Sequence, residues 1–286
     1  MTRIALAALL IFGFFLASKA LAHPHIMRVA DRQEISFEEM MEDLRGVELV
    51  FVGELHDHPG HHQAQLEIIK GLQNTGTHPT IALEMFRKDS QKVLDQWVDG
   101  GISERRFLRH YEDNWSMWPK YRDIFLFARD QRIRMVGLNI PRDITRQVAT
   151  RGFSSLTRKQ IQSLEGVSCN VDPAYQDYIR RAMGIHHNHG DSFIRFCEAQ
   201  LVWDHAMAKN LAEHLKGGLL RSVVILAGSG HSWKYGIPTQ LKNYGEATFR
   251  VVLPEVRGRM DRNSVTRAEA DYLWLDVGNG GWGVPK

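Results

Sequence analysis

The chain has little cysteine, two residues in 286, and that scarcity excludes a disulfide-built scaffold. Cys169 and Cys197 are too few to frame a metal site, and the sequence leaves open whether they pair. Neither sign of charge dominates. A net charge of +3 spread over mixed residues is not the footprint of a nucleic-acid partner. Long apolar runs are lacking too, since Ile4 to Leu16 is shorter than the ~20 residues of a membrane span. No internal repeat or clear linker interrupts the chain. The glycine patterns of phosphate loops and dinucleotide folds are missing, as is the H-E-x-x-H metal helix.

What is present begins with residues 1–22, MTRIALAALLIFGFFLASKALA, which read as a secretory signal. Arg3 gives the positive start, and Ala20-Leu21-Ala22 is a small-residue cleavage site. Losing Arg3 and Lys19 takes the charge from +3 to +1. No cysteine lies near that cleavage point, so the expectation is a soluble periplasmic protein without a lipid anchor. Residues 23–286 then form a single domain with a helical lid. All 14 histidines lie in that part.

Apolar runs at Val47 to Val52, Thr80 to Phe86, Ile133 to Ile140, Arg221 to Ala227 and 247–253 predict strands buried on both faces, with a further strand at Tyr272 to Val277. Helical spacing fills residues 60–72, 88–98, 103–110 and 119–131. Ser36 to Glu39 has capping-box spacing, and Pro141 opens a helix. The pattern predicts an α/β fold with a mostly parallel sheet covered by helices on both faces. Residues 157–216 read as an all-helical insertion between the third and fourth strands, its longest helix running from Ser192 to about Leu215.

Polar residues gather where these strands end. Gly53-Glu54-Leu55-His56 follows the first, Glu84 closes the second, Arg142 follows the third, and Gly228-Ser229-Gly230-His231 follows the fourth. Carboxyl ends of parallel strands share one edge, where ligands bind in open α/β sheets. Glu54, His56, Glu84, Arg142 and His231 are therefore the candidate crevice residues. A buried, unpaired Glu84 would be costly, so a partner is expected in a histidine or in Arg142. His56, His231, Glu54 and Glu84 could converge on a metal ion, but a solvated histidine-rich turn is the commoner outcome, and no metal is assigned. A second cluster comprises Tyr175, Tyr178, Arg180, Arg181, His186, His187 and His189. The two tyrosines, three apart, share a helix face; they suit either packing of the lid or, as phenolates, ferric haem iron. Trp118, Tyr121 and Phe125 have the spacing of a core stripe. Gln200 and Asp204 stand one turn apart and could brace the crevice.

Five segments in order, VFVGELHDHPGHHQAQLEII, IALEMF, LNIPRDI, RFCEAQLVWDHAMA and VVILAGSGHSWKYGIP, make the chain resemble the ChaN haem-binding family of bacterial iron-uptake systems. That group extends to the secreted TIKI proteases and the erythromycin esterases, which share the two G-x-x-H turns. The resemblance covers about residues 45–255. It implies ferric haem as cofactor and a homodimer holding two haems face to face. It also implies a tyrosine iron ligand, carried to Tyr178 or Tyr175 with Tyr178 preferred. A propionate-binding histidine is carried to His187 or its neighbours His186 and His189. The accompanying lysine has no place, since residues 170–191 contain none. Haem-transporter components are the implied partners. The esterase and protease relatives imply an alternative, a hydrolase in the G-x-x-H crevice, with Glu54 or His56 activating water and His231 or Arg142 stabilising an oxyanion.

Overall fold

A computed structural model describes residues 25–277 except 165, 168, 183–189, 217–221 and 276. The proposed signal segment and His186, His187 and His189 lie outside the described residues. Eight strands form one sheet in the order β2-β1-β8-β7-β3-β6-β4-β5. Its centre is β3 (Leu49–Glu54), paired in parallel with β6 (Val223–Gly228) on one side and β7 (Phe249–Pro254) on the other. Beyond β6 come β4 (Thr80–Arg87) and β5 (Met135–Asn139), also parallel. Beyond β7 lies β8 (Tyr272–Leu275), parallel to it. The sequence pattern missed two short strands, β1 (His25–Arg28) and β2 (Gln33–Ile35), which close this edge in antiparallel pairing.

The alternation of side chains along each strand sorts the core into two layers. Val50 and Val52 of β3 face one cluster with Ile81, Leu83, Val224 and Leu226. Helices α1 (Phe37–Leu44), α2 (Pro59–Asn74), α3 (Gln91–Val98), α4 (Glu104–Asn114) and α5 (Trp118–Asp130) cover it. Leu49 and Phe51 face the other cluster, with Ala82, Val136, Ile225 and Leu253. That face is covered by α8 (Pro173–Ala182), α9 (Asp191–Leu215) and α11 (Ile237–Leu241). A helix α6 (Arg142–Arg151) follows β5, α7 (Arg158–Leu164) opens the helical stretch, and the short α10 (Ser229–Ser232) follows β6. Ser36 and Glu39 form the expected capping box on α1.

The helical stretch between β5 and β6 is not only an appendage. Its last helix, α9, buries Met207, Ala208 and Leu211 against the sheet, and Asn210 Nδ2 donates to the Leu138 carbonyl of β5 at 2.7 Å. This helix is the crossover that makes β5 and β6 parallel. Cys169 and Cys197 are both free thiols. Burial pushes them up to about 12 and about 11, so neither is a reactive thiolate at neutral pH.

Candidate functional site

The carboxyl edge of the sheet carries two histidine–carboxylate pairs with a third carboxylate between them. Gly53 brings β3 close to α10, for a Cβ there would lie 2.9 Å from Ser229 Oγ and 2.6 Å from a Leu253 methyl carbon. The next residue, Glu54, is buried, and both its oxygens are engaged. His56 Nδ1 donates to Oε1 at 2.7 Å, and the Tyr121 hydroxyl donates to the same atom. Gln65 Nε2 donates to Oε2 at 2.8 Å, with His62 Nδ1 3.1 Å from that oxygen. Burial alone would favour the protonated acid, but hydrogen bonds from His56 and His62 outweigh it and hold Glu54 down at about 2. Burial likewise opposes charge on His56, while Glu84 and Glu54 raise the imidazole to about 9. Glu54 and His56 are thus an ionised pair at neutral pH.

The second pair comes from the other side of the sheet. His231 Nδ1 lies 2.6 Å from Asp204 Oδ1, and the Tyr175 hydroxyl donates to Asp204 Oδ2 at 2.7 Å. All three residues are buried. Burial opposes a charged His231, but Glu84 and Asp204 overcome it and raise its pKa. Glu84 lies between the pairs. Its Oε2 accepts the Gly228 backbone N–H at 2.7 Å, and Oε1 stands 3.7 Å from His231 Nε2. Gly228 is needed here because a Cβ would come within 3.2 Å of His56 Nε2. The partner expected for Glu84 is therefore His231 and a backbone amide. Arg142 instead is exposed and lies over the Trp115 ring, 5.0 Å from its centroid. It lines a separate cavity of about 190 Å³, together with Glu84, Asn114 and Asn139.

A cleft of about 540 Å³ opens beside these pairs, within the ~300–1,000 Å³ usual for ligand sites. Glu54, His56 and His231 line its floor, Met117, Phe196 and Met260 give apolar wall, and Tyr178 borders it. Tyr178 of the tyrosine cluster thus lines the same cleft as the strand-end residues Glu54, His56 and His231, although the sequence reads the two as separate sites. Both tyrosines are buried. Tyr175 points away to Asp204. Tyr178 stacks on Trp233 and donates its hydroxyl to the Ser229 carbonyl at 3.1 Å, and burial raises its pKa.

Tyr121, His62 and Gln65 were not singled out as site residues. Tyr121 has core spacing and is core, yet its hydroxyl reaches the site. Asp204, read from the sequence as a brace for the crevice beside Gln200, reaches His231 and Tyr175; its burial inside an apolar helix is the signal that it needs such partners. Among the described residues, no three His, Cys, Asp or Glu side chains are arranged to hold a metal ion. His61 is turned to structure: its Nδ1 accepts the Leu55 N–H at 2.8 Å, and burial holds it neutral, down at about 3.

The profile of a family described as "Haem-binding uptake, Tiki superfamily, ChaN" matches residues 40–241. Among solved structures, that described as "Cofacial heme binding to ChaN of Campylobacter jejuni" superposes with a TM-score of 0.65 at 21% identity, covering 88% of this chain and 96% of the other. An erythromycin esterase mutant in its open conformation is similar with a TM-score of 0.47 and 14% identity, covering 81% of this chain and 76% of that one. A curated relative, Protein RETICULATA-RELATED 5, chloroplastic, of Arabidopsis thaliana, is 22% identical over 263 residues, 82% of this chain. The matched part of the chain spans 35% of that relative's length.

Proposed function

Since the chain belongs to the haem-binding uptake family ChaN of the Tiki superfamily, we propose that it binds haem in the strand-end cleft, with Tyr178 as iron ligand. The carrying observation is the cleft wall, where the Tyr178 phenol stands beside Met117, Phe196 and Met260. These residues fit the group: apolar walls suit the faces of a macrocycle, and a phenolate oxygen suits ferric iron. When bound, ferric haem supplies the positive charge that lets a buried phenol ionise. Tyr178 has to exchange its Ser229 carbonyl for that role, and Trp233, stacked on its ring, fixes the plane in which it turns. Tyr175 cannot serve without stripping Asp204 of a donor. His187, or His186 or His189, keeps the propionate role that the resemblance gives it.

The proposal extends to assembly and place. The cofacial haems named for the Campylobacter jejuni protein support a homodimer on haem binding. Residues 1–22 support export to the periplasm, and a haem-transporter component is the partner that fits an uptake role. Titrating the protein with ferric haem tests the core of this. Wild type and Tyr175→Phe should both shift the Soret band, while Tyr178→Phe loses at least the roughly 10- to 100-fold in affinity that follows removal of a mere partner of a metal ligand. Equal binding by Tyr178→Phe would overturn the ligand assignment.

A second reading has its own observation: His56 and His231 line the cleft, and Glu84 Oε1 stands 3.7 Å from His231 Nε2. This arrangement suits hydrolysis, with roles different from those read in the sequence. Glu54 has no oxygen left for water, and His56 carries its proton at neutral pH. Glu84 is then the general base, and His56 and His231 are the donors facing an oxyanion. On a panel of esters and peptides, Glu84→Gln should lose about 100-fold or more; activity indifferent to Glu84, His56 and His231 refutes it.

A further inference from the structure

We infer that Arg259 receives a carboxylate of the ligand that occupies the cleft, and so selects for an apolar body with an acidic edge. The inference rests on the haem reading, since haem carries two propionates on one edge of an apolar ring. It concerns a part of the chain outside residues 40–241, the stretch that matches the family profile. After β7 the chain turns back on itself, with Val256 N–H donating to the Met260 carbonyl at 2.7 Å and Met260 N–H to the Val256 carbonyl at 2.9 Å. Gly258 takes the positive φ of +74° that such a tight turn needs. Asp261 ties the turn down by accepting backbone N–H groups from Gly258, Asn263 and Ser264 at 3.0–3.1 Å. Val256, Arg259 and Met260 of this turn form one wall of the cleft.

Burial divides the turn's side chains. Met260 is 4% exposed and packs inward, whereas Arg259 is exposed at the cleft edge. The neighbouring arginines on this segment are committed elsewhere. Arg262 reaches Glu255 and Glu34, and Arg257 has interactions of its own. Arg259 has no carboxylate partner among the described residues. Besides the Tyr178 phenol, the other ionisable groups lining the cleft are Glu54, His56, Asp57 and His231. Glu54 and His231 are buried and paired on the floor, and His56 is spent largely on Glu54 and Glu84. Asp57 is an exposed acid, so it repels a ligand carboxylate, whereas Arg259 attracts one. A guanidinium is always charged and meets a carboxylate with two parallel N–H donors. Held on a tied turn next to apolar Met260, it loses less freedom on binding than it would on a loose loop.

The test compares ferric protoporphyrin IX with its dimethyl ester, which keeps the ring and iron but has no carboxylate, in aqueous dimethyl sulfoxide. Wild type, Arg259→Ala, Arg259→Lys, Arg259→Glu and Tyr178→Phe are titrated by Soret absorbance, with circular dichroism confirming the fold of each. Arg259→Ala should bind the diacid roughly 3- to 10-fold more weakly, the range between an exposed ion pair and a bidentate one. It should bind the diester as wild type does. Arg259→Lys keeps part of the diacid affinity, Arg259→Glu loses more than alanine, and added salt narrows the gap. Equal affinity of Arg259→Ala and wild type for the diacid overturns the inference, as does an equal loss for the diester, which means a packing role. If either result comes with weakened binding by Tyr178→Phe, only this inference fails. If wild type binds neither porphyrin, the haem reading fails and takes this inference with it.

Discussion

The Asp204 carboxylate serves two groups at once, the imidazole of His231 and the hydroxyl of Tyr175. Fixing Nδ1 of a histidine in this way sets its tautomer and aims Nε2, here toward Glu84. Removing the acid leaves a buried charge without its partner, so Asp204→Ala should cost about 3–5 kcal/mol in denaturant unfolding. Asp204→Asn keeps the shape but not the charge, and should lower the His231 pKa measured by imidazole NMR. An unchanged His231 titration would remove Asp204 from its positioning role. Stability against pH follows from three neighbours. His56, raised from 6.5 to about 9, contributes stability that is complete below pH 6.5 and lost as pH rises through 9. His61, lowered from 6.5 to about 3, contributes stability that is lost as pH falls from 6.5 to 3. Glu54, lowered from 4.5 to about 2, is lost on acidification between those values. Together they place the maximum near pH 6.5. In His56→Gln the alkaline decline should shrink, and an unchanged slope between pH 6.5 and 9 would refute the assignment.

At the scale of elements, the site depends on how closely β3, β6 and α10 approach. At the ends of β3 and β6, Gly53 is paired with Ala227 and Gly228 with Glu54. Side chains at either position would enter occupied space. Gly228→Ala should therefore displace the His56 imidazole and destabilise by about 1–3 kcal/mol, the cost of overpacking. A crystal structure or His56 NMR shift unchanged in that variant would show that the edge yields freely. Strand positions were readable because runs buried on both faces are continuous and apolar. β1 and β2 were not, being three or four residues long with exposed polar positions. The tyrosines of α8 were legible as a helix face. Which face packs inward was not, because it depends on Trp233 and Asp204 from distant segments.

At the scale of the molecule, the all-helical insertion includes the crossover: its last helix, α9, packs on the sheet and delivers Asp204 to the sheet edge. The segment after residue 241, beyond the family profile, completes the cleft with Val256, Arg259 and Met260. Following the haem titration by size-exclusion mass measurement tests assembly. The mass should double as haem saturates, and a monomer at saturation excludes a haem-bridged dimer.

Sequence by itself settled the α/β class, the parallel strands and the edge where Glu54, His56, Glu84 and His231 meet, because burial on both faces and parallel pairing leave a periodic trace along the chain. Tertiary structure alone decided the pairings: Asp204 with His231, Tyr121 with Glu54, Arg142 on Trp115, and Tyr178 rather than Tyr175 at the cleft. Those are choices among side chains tens of residues apart. They are fixed by desolvation and hydrogen bonding in three dimensions, which no local pattern encodes.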